Sequence, residues 1–263
     1  MKITVLTENT ANDSRLIAEH GLSLFIEAAD KRILFDTGQT NAFARNALSL
    51  GVDLSKADIA VLSHGHYDHG GGISTFLSLN DIAPVYLAKE AFGAHFNGSE
   101  KYIGLDQGLK SNKRLVFVDD EFEINENIRL ISCNKKERLH QTEPFGLNIE
   151  IGGVMQPESF LHERYLLINE NGKRILFSGC SHKGILNIQE WFKPDVFVGG
   201  FHLSKLDPAT PDREGLRKTA KALMKYETKY YTAHCTGTAQ YEYLKTVMGD
   251  RLEYLHVGSN AII

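Results

Sequence analysis

An α/β fold with its chemistry gathered at one sheet edge is what the sequence predicts, and three observations carry the prediction. Short apolar runs of strand character, such as Ile59 to Leu62, alternate along the chain with helix-like segments. Four of these runs stop at loops that carry histidine, at residues 64–69, 180–182, 202 and 234. The chain has 263 residues, 42% of them apolar, enough to bury a large core in one domain or two close halves. In open α/β architectures, groups from several strand ends converge on one edge, and ligands bind there.

Taken in order, Lys2 to Thr7 is expected as the opening strand. Leu22 to Glu27 and Arg32 to Phe35 follow as a hairpin across Ala28-Ala29-Asp30-Lys31. Glu8, Asn9 and Thr10 close the first strand near the same rim. The hairpin runs into Asp36-Thr37-Gly38, and a helix is expected from about Asn41 to Leu50, which Asp36 could cap. Ile59 to Leu62 reads as a buried strand of a covered sheet. Behind it stands Ser-His-Gly-His-Tyr-Asp-His-Gly-Gly-Gly. His64 and His66, two residues apart, point the same way on an extended chain and can grip one ion together. Asp68 and His69 then turn toward a neighbouring position, and Gly70, Gly71 and Gly72 permit the close backbone approach such a turn needs.

Ile73 to Leu79 is expected as a helix and Pro84 to Ala88 as a strand. The rhythm weakens over residues 89–160, where two strands are expected, Arg114 to Val118 and Ile128 to Cys133. A segment of this kind between two ordered halves usually covers or walls a site. His95 and His140 within it read as solvated, and Phe145 and Phe160 as pocket wall or core. Order returns with Tyr165 to Ile168 and Arg174 to Phe177, joined over Asn169-Glu170-Asn171-Gly172. The second of these strands ends in Ser178-Gly179-Cys180-Ser181-His182-Lys183-Gly184, and a helix follows through Trp191. Val196 to Val198 leads into Gly-Gly-Phe-His202-Leu, and Lys229 to Thr232 into Ala-His234-Cys-Thr-Gly. Helices are expected over 212–226 and 238–248.

Three histidines and one aspartate within six residues, directly behind a strand, mark a metal packet. The packet, His-x-His-x-Asp-His, resembles the signature of the metallo-β-lactamase superfamily. The resemblance implies a four-layer αββα sandwich over residues 1–263 as a single domain, with a variable covering segment at about 89–160. It also implies one or two metal ions at the sheet edge and, in most members, hydrolytic chemistry. On this reading His64, His66 and His182 form a three-nitrogen site, and Asp68, His69 and His234 the neighbouring one. Two divalent ions are expected, Zn2+ first, with Fe or Mn also suited to the set. A hydroxide shared between them would be available near neutral pH.

Asp36 then takes the place of a residue that orients a ligand imidazole from behind. Cys180 stands where the superfamily carries a bridging Asp, so a thiolate ligand and a buried packing residue both remain open there. His162, in Phe-Leu-His-Glu, lies where the superfamily often has its third histidine. The third ligand of the first site is therefore open between His182 and His162. Asp68 and His202 are the candidate catalytic residues. His202 is expected at the pocket rim, as a proton donor to a leaving oxygen or a phosphate contact, or else as a core-edge histidine. The phrases Gly-Cys-Ser-His-x-Gly-Ile-x-Asn, Gly-Gly-Phe-His-Leu and His-Cys-Thr-Gly are narrower. They resemble the branch holding 7,8-dihydropterin-6-methyl-4-(β-D-ribofuranosyl)-aminobenzene-5′-phosphate synthase, a pterin-condensing enzyme, and many metallo-hydrolases.

A net charge of −4 leaves no basic footprint for nucleic acid. Three cysteines, an odd number in so long a chain, argue against a disulfide framework and for a reducing cytosol. No apolar run is long enough for a membrane span, and the opening Met-Lys-Ile-Thr-Val-Leu reads as a strand. The expected function is a cytoplasmic dinuclear metal hydrolase acting on a phosphate- or ester-bearing small molecule. The alternative is the pterin-condensing transferase.

Overall fold

Side chains along the central strands alternate between two separate apolar environments, and that alternation builds the architecture. The computed structural model describes residues 1–263. In Lys31–Phe35, Ile33 and Phe35 face one core while Leu34 faces another. In Lys173–Ser178, Ile175 and Phe177 join that first core, whereas Leu176 points to a third. The shared core therefore lies between two sheets, as a period of two with both faces apolar requires.

The first sheet has seven strands in the order Asn260–Ile262, Lys2–Thr7, Ser23–Ala28, Lys31–Phe35, Ile59–Val61, Val85–Ala88 and Leu115–Val118. The second runs Leu252–Tyr254, Lys229–Thr232, Val196–Gly199, Lys173–Ser178, Tyr165–Glu170, Ile128–Ile131 and Glu121–Asn125. Helices Ala42–Ser49 and Ile73–Leu79 cover the outer face of the first sheet through Phe43, Ala47, Ile73 and Phe76. Ile185–Phe192, Arg213–Leu223 and Thr238–Met248 cover the second through Ile188, Leu216 and Leu244. The result is the αββα sandwich. No helix is long and apolar enough to cross a membrane.

The two sheets share one plan. Each contains an antiparallel hairpin followed by parallel strands, so the parallel strands of a sheet end on one side. Asp36, the 64–69 packet, Cys180 with His182, His202 and His234 all lie just past such ends. The weakly patterned stretch behaves differently along its length. Leu115–Val118, Glu121–Asn125 and Ile128–Ile131 complete the two main sheets. The rest pairs into a four-stranded sheet, Val154–Pro157, Leu147–Ile151, Ala94–Asn97 and Lys101–Tyr102. Its strands are short and mostly exposed, which is why they lack a clear apolar alternation.

Candidate metal centre

Buried carboxylates brace three of the four histidine loops from a different part of the chain. Asp36 accepts from Ser63 N–H and Ser63 Oγ–H, both at 2.7 Å, and from His69 Nδ1 at 2.7 Å. The cap of the following helix is Asn41, so Asp36 is free for this task. Glu163 accepts from the backbone N–H of His182 at 2.6 Å and of Lys183 at 3.1 Å. Glu8 accepts from His234 N–H at 2.8 Å and from the Tyr254 hydroxyl at 2.6 Å. Asp36, Ser181, His202 and His234 all have φ between 51° and 58°. Non-glycine residues in this left-handed region cost on the order of 1 kcal/mol each, and they gather where the loops must aim side chains.

Hydrogen bonding at Nδ1 decides which ring nitrogen each histidine offers. The Ser63 hydroxyl gives its one proton to Asp36, so it accepts from His64 Nδ1, 2.9 Å away. His69 Nδ1 donates to Asp36, and His234 Nδ1 donates to Asn9 Oδ1 at 2.8 Å. In the neutral ring each of these three imidazoles carries its lone pair on Nε2, the state a metal ligand needs. His162 has the opposite tautomer: its Nδ1 accepts from Gly65 N–H at 2.7 Å, so Nε2 carries the proton. The structure thus sets His182, and not His162, against His64.

These Nε2 atoms meet in two neighbouring clusters. His64 Nε2 and His182 Nε2 are 3.3 Å apart, with His66 completing the group. His69 Nε2 lies 3.2 Å from His234 Nε2, and Asp68 Oδ2 lies 3.3 Å from His234 Nε2 and 3.8 Å from His69 Nε2. Cys180 is buried with Sγ 3.2 Å from His69 Nε2, between the clusters, and burial pushes its thiol pKa well up. The clusters border a cavity of about 460 Å³ whose walls include His202, Phe145, Lys101 and Lys205. A larger groove of about 810 Å³ shares no residue with it and is lined by exposed charged side chains such as Lys135 and Asp119. Donor chemistry, not size, identifies the site.

Two groups are placed where sequence reasoning did not put them. His95 is fully buried, not solvated: its Nδ1 donates to Glu158 at 2.6 Å, and its ring stacks on His162 at 4.1 Å. With His66 and Glu158 these two histidines make a further buried cluster. His20, on the loop ahead of Ser23–Ala28, has Nε2 3.2 Å from Asp68 Oδ2. A lone polar residue in an unpatterned segment carries no local signal, so only Phe-Leu-His-Glu, with its adjacent His and Glu, drew attention to that stretch. His202 is half-buried and borders the cavity, its ring 4.3 Å from that of His182.

The donor set fits divalent metal ions. Several imidazole nitrogens and a carboxylate, all buried, stand at the mutual distances that one ion's ligands adopt, since bonds of about 2.0–2.1 Å in a tetrahedron put ligands about 3.3–3.4 Å apart. His66 Nε2 is buried without a partner in the chain, as expected of a nitrogen placed for ligation and not for internal hydrogen bonding.

Comparison with known proteins agrees with this geometry. The family model for the metallo-beta-lactamase superfamily matches residues 17–152. An uncharacterized protein of Methanocaldococcus jannaschii, MJ0448, is 35% identical over 76% of this chain and 79% of its own length. The 7,8-dihydropterin-6-methyl-4-(β-D-ribofuranosyl)-aminobenzene-5′-phosphate synthase of the same organism is 29% identical over 98% of this chain and 95% of its own. The crystal structure of Tm1679, described as a metal-dependent hydrolase of the β-lactamase superfamily, superposes with a TM-score of 0.83. It is 29% identical, covering 100% of this chain and 99% of that one.

Proposed function

The chain belongs to the metallo-β-lactamase superfamily, and on that premise we propose that it is a hydrolase using two divalent ions on a phosphate- or ester-bearing small molecule. One observation carries the reading: paired imidazole nitrogens, His64 with His182 at 3.3 Å and His69 with His234 at 3.2 Å, meet beside a single cavity. His64, His66 and His182 hold the first ion, and Asp68, His69 and His234 the second, with zinc, iron or manganese all compatible. When bound, such ions activate water near neutral pH and stabilise negative charge on the attacked group.

The chain's own residues supply the rest. Asp36, Ser63 and Asn9 keep three Nδ1 protons engaged, so the facing Nε2 atoms stay aimed without reorganisation. Phe145, Ile103 and Leu147 form an apolar wall that limits water, while Lys101 and Lys205 bring positive charge to the same cavity for an anionic substituent. His202 has two ring nitrogens without a partner in the chain and lies beside His182; it donates a proton to the leaving oxygen. Three free cysteines fit the reducing cytosol in which we place the protein.

The near full-length similarity to the archaeal synthase supports a second reading, in which the same cavity joins a pterin pyrophosphate to an arylamine with loss of pyrophosphate. One experiment separates the two. Metal-loaded protein is incubated with chromogenic phosphodiesters, phosphomonoesters and lactones, and separately with the pterin pyrophosphate and its arylamine. Hydrolysis that stops on chelation supports the first reading, and turnover of the pterin pair alone supports the second. Activity that survives complete metal removal sinks both.

A further inference from the structure

We infer that His20 is a fourth ligand of the second ion, supplied by the loop that precedes the strand Ser23–Ala28. The inference rests on the reading that Asp68, His69 and His234 hold an ion, and it adds a residue from outside the histidine loops. Asp68 Oδ2 is 3.2 Å from His20 Nε2 and 3.3 Å from His234 Nε2, and His234 Nε2 is 3.2 Å from His69 Nε2. A fourth spacing, His69 Nε2 to Asp68 Oδ2, is 3.8 Å. Donors around one tetrahedral ion, with bonds of about 2.0–2.1 Å, are separated by about 3.3–3.4 Å. The spacing of His20 to Asp68 therefore matches as well as those of Asp68 and His69 to His234, and that of His69 to Asp68 is a few tenths long.

The backbone on both sides of His20 is fixed against the same site. The Glu19 carboxylate accepts from Gln39 N–H at 3.1 Å, Thr40 N–H at 3.0 Å and the Thr40 hydroxyl at 2.6 Å. Gly21 N–H donates to Asn9 Oδ1 at 3.3 Å, the same atom that takes the His234 Nδ1 proton. Leu22 N–H donates to the Asp68 carbonyl at 3.2 Å. Gly21 sits so close that a Cβ there would come within 2.4 Å of that carbonyl oxygen, which ties the loop's glycine to contact with the packet. The His20 ring, by contrast, is 58% exposed. A pinned backbone with a solvent-facing ring makes His20 a displaceable ligand: swung in, it closes the second ion's shell, and swung out, it leaves a position for water or substrate.

The test uses cobalt- and zinc-loaded full-length protein and the variants His20→Ala and His20→Gln, with Asp68→Ala as the reference for loss of the second ion. Ion affinities are read by chelator competition, stoichiometry by elemental analysis, and coordination by the cobalt d–d spectrum. His20→Ala is expected to weaken the second ion at least about 10-fold with the first unchanged, as even outer-shell losses cost about that much. Its cobalt spectrum should weaken as water replaces nitrogen, and added imidazole should restore it. Circular dichroism matching that of the parent protein excludes misfolding as the cause. Two ions of unchanged affinity with an unchanged cobalt spectrum overturn the inference alone, leaving His20 as an exposed partner of Asp68. Failure of the parent protein to take up a second ion overturns the underlying reading as well, and is visible before any variant is compared.

Discussion

The two donor clusters lie side by side on the same strand ends, yet they are built on opposite electrostatic terms. Around His64, His66 and His182 the donors are all imidazole. Burial dominates there, with mutual repulsion added, and holds His64 and His182 well below the ordinary 6.5 and His66 at about 3. Around Asp68 and His69 burial is just as complete but charge decides the outcome. Burial opposes the charge on His69, and the carboxylates of Asp36 and Asp68 outweigh it, bringing its pKa up to about 9. Burial would raise Asp68, but His69, His20 and His234 hold it well below the usual carboxylate range. The first cluster is thus a set of neutral lone pairs at neutral pH. The second holds an internal ion pair whose proton must leave before a metal can enter.

Removing the metals should produce the largest effect and erase the contrast altogether. Exhaustive chelation is expected to lower hydrolysis by about 10³-fold or more, measured on whichever chromogenic ester the protein turns over, since the ions supply both the nucleophile and charge stabilisation. Restoring activity with zinc or manganese checks that the loss is not unfolding.

His202→Ala probes the boundary beside the first cluster. It is expected to lower kcat by about 10²-fold, the usual contribution of a positioned proton donor, with both ions retained by elemental analysis. Loss of one ion in this variant would instead make His202 a ligand.

Two paired variants sharpen the comparison directly. Asp36→Ala removes the brace of His69 directly and that of His64 through Ser63, so it should weaken the second ion about 10–100-fold and the first ion by less. Glu158→Gln removes the carboxylate that holds His95 beside His66, and should weaken the first ion by about 10-fold at most. Chelator competition on each variant reads both affinities, and equal losses at both ions in Glu158→Gln would end the idea that this carboxylate serves the first cluster alone.

The smallest effects are those of pH. Below about 9 a proton on His69 competes with the second ion, so that ion's affinity should rise with pH, by up to about tenfold per unit, and level off above it. The first ion should show little pH dependence above 6.5, because His64, His66 and His182 are already neutral there. Stability of the metal-free protein follows the same signs. The contribution of charged His69 is full below 6.5 and fades as pH rises through about 9. The three depressed histidines act the other way: acidification below 6.5 protonates them only in the unfolded chain, so stability falls toward pH 3. Caloretric melting of metal-free protein across this range, together with imidazole proton spectra, would expose any error in these directions.

Much of the molecule is legible in the chain itself. Lys2–Thr7, Lys229–Thr232 and the helices Ile73–Leu79 and Thr238–Met248 coincide with the expected segments, because apolar periodicity and flanking turn residues are local properties. The loops bearing His64 to His69, His182, His202 and His234 are equally local, each the abrupt end of an apolar run. Tertiary structure alone decided the rest. The sheet Val154–Pro157, Leu147–Ile151, Ala94–Asn97 and Lys101–Tyr102 is short and exposed, so its pairing leaves little trace in the pattern. His20 and His95 stand in unpatterned segments, and nothing adjacent to them announces Asp68 or Glu158. Which nitrogen His64, His162 and His234 present depends on which ring nitrogen holds a proton. That is set by Ser63, Gly65 and Asn9, and the last of these lies 225 residues from the histidine it orients. A ligand's residue type is written locally, but the direction of its lone pair belongs to the hydrogen bond behind it, and that partner arrives only when the chain folds.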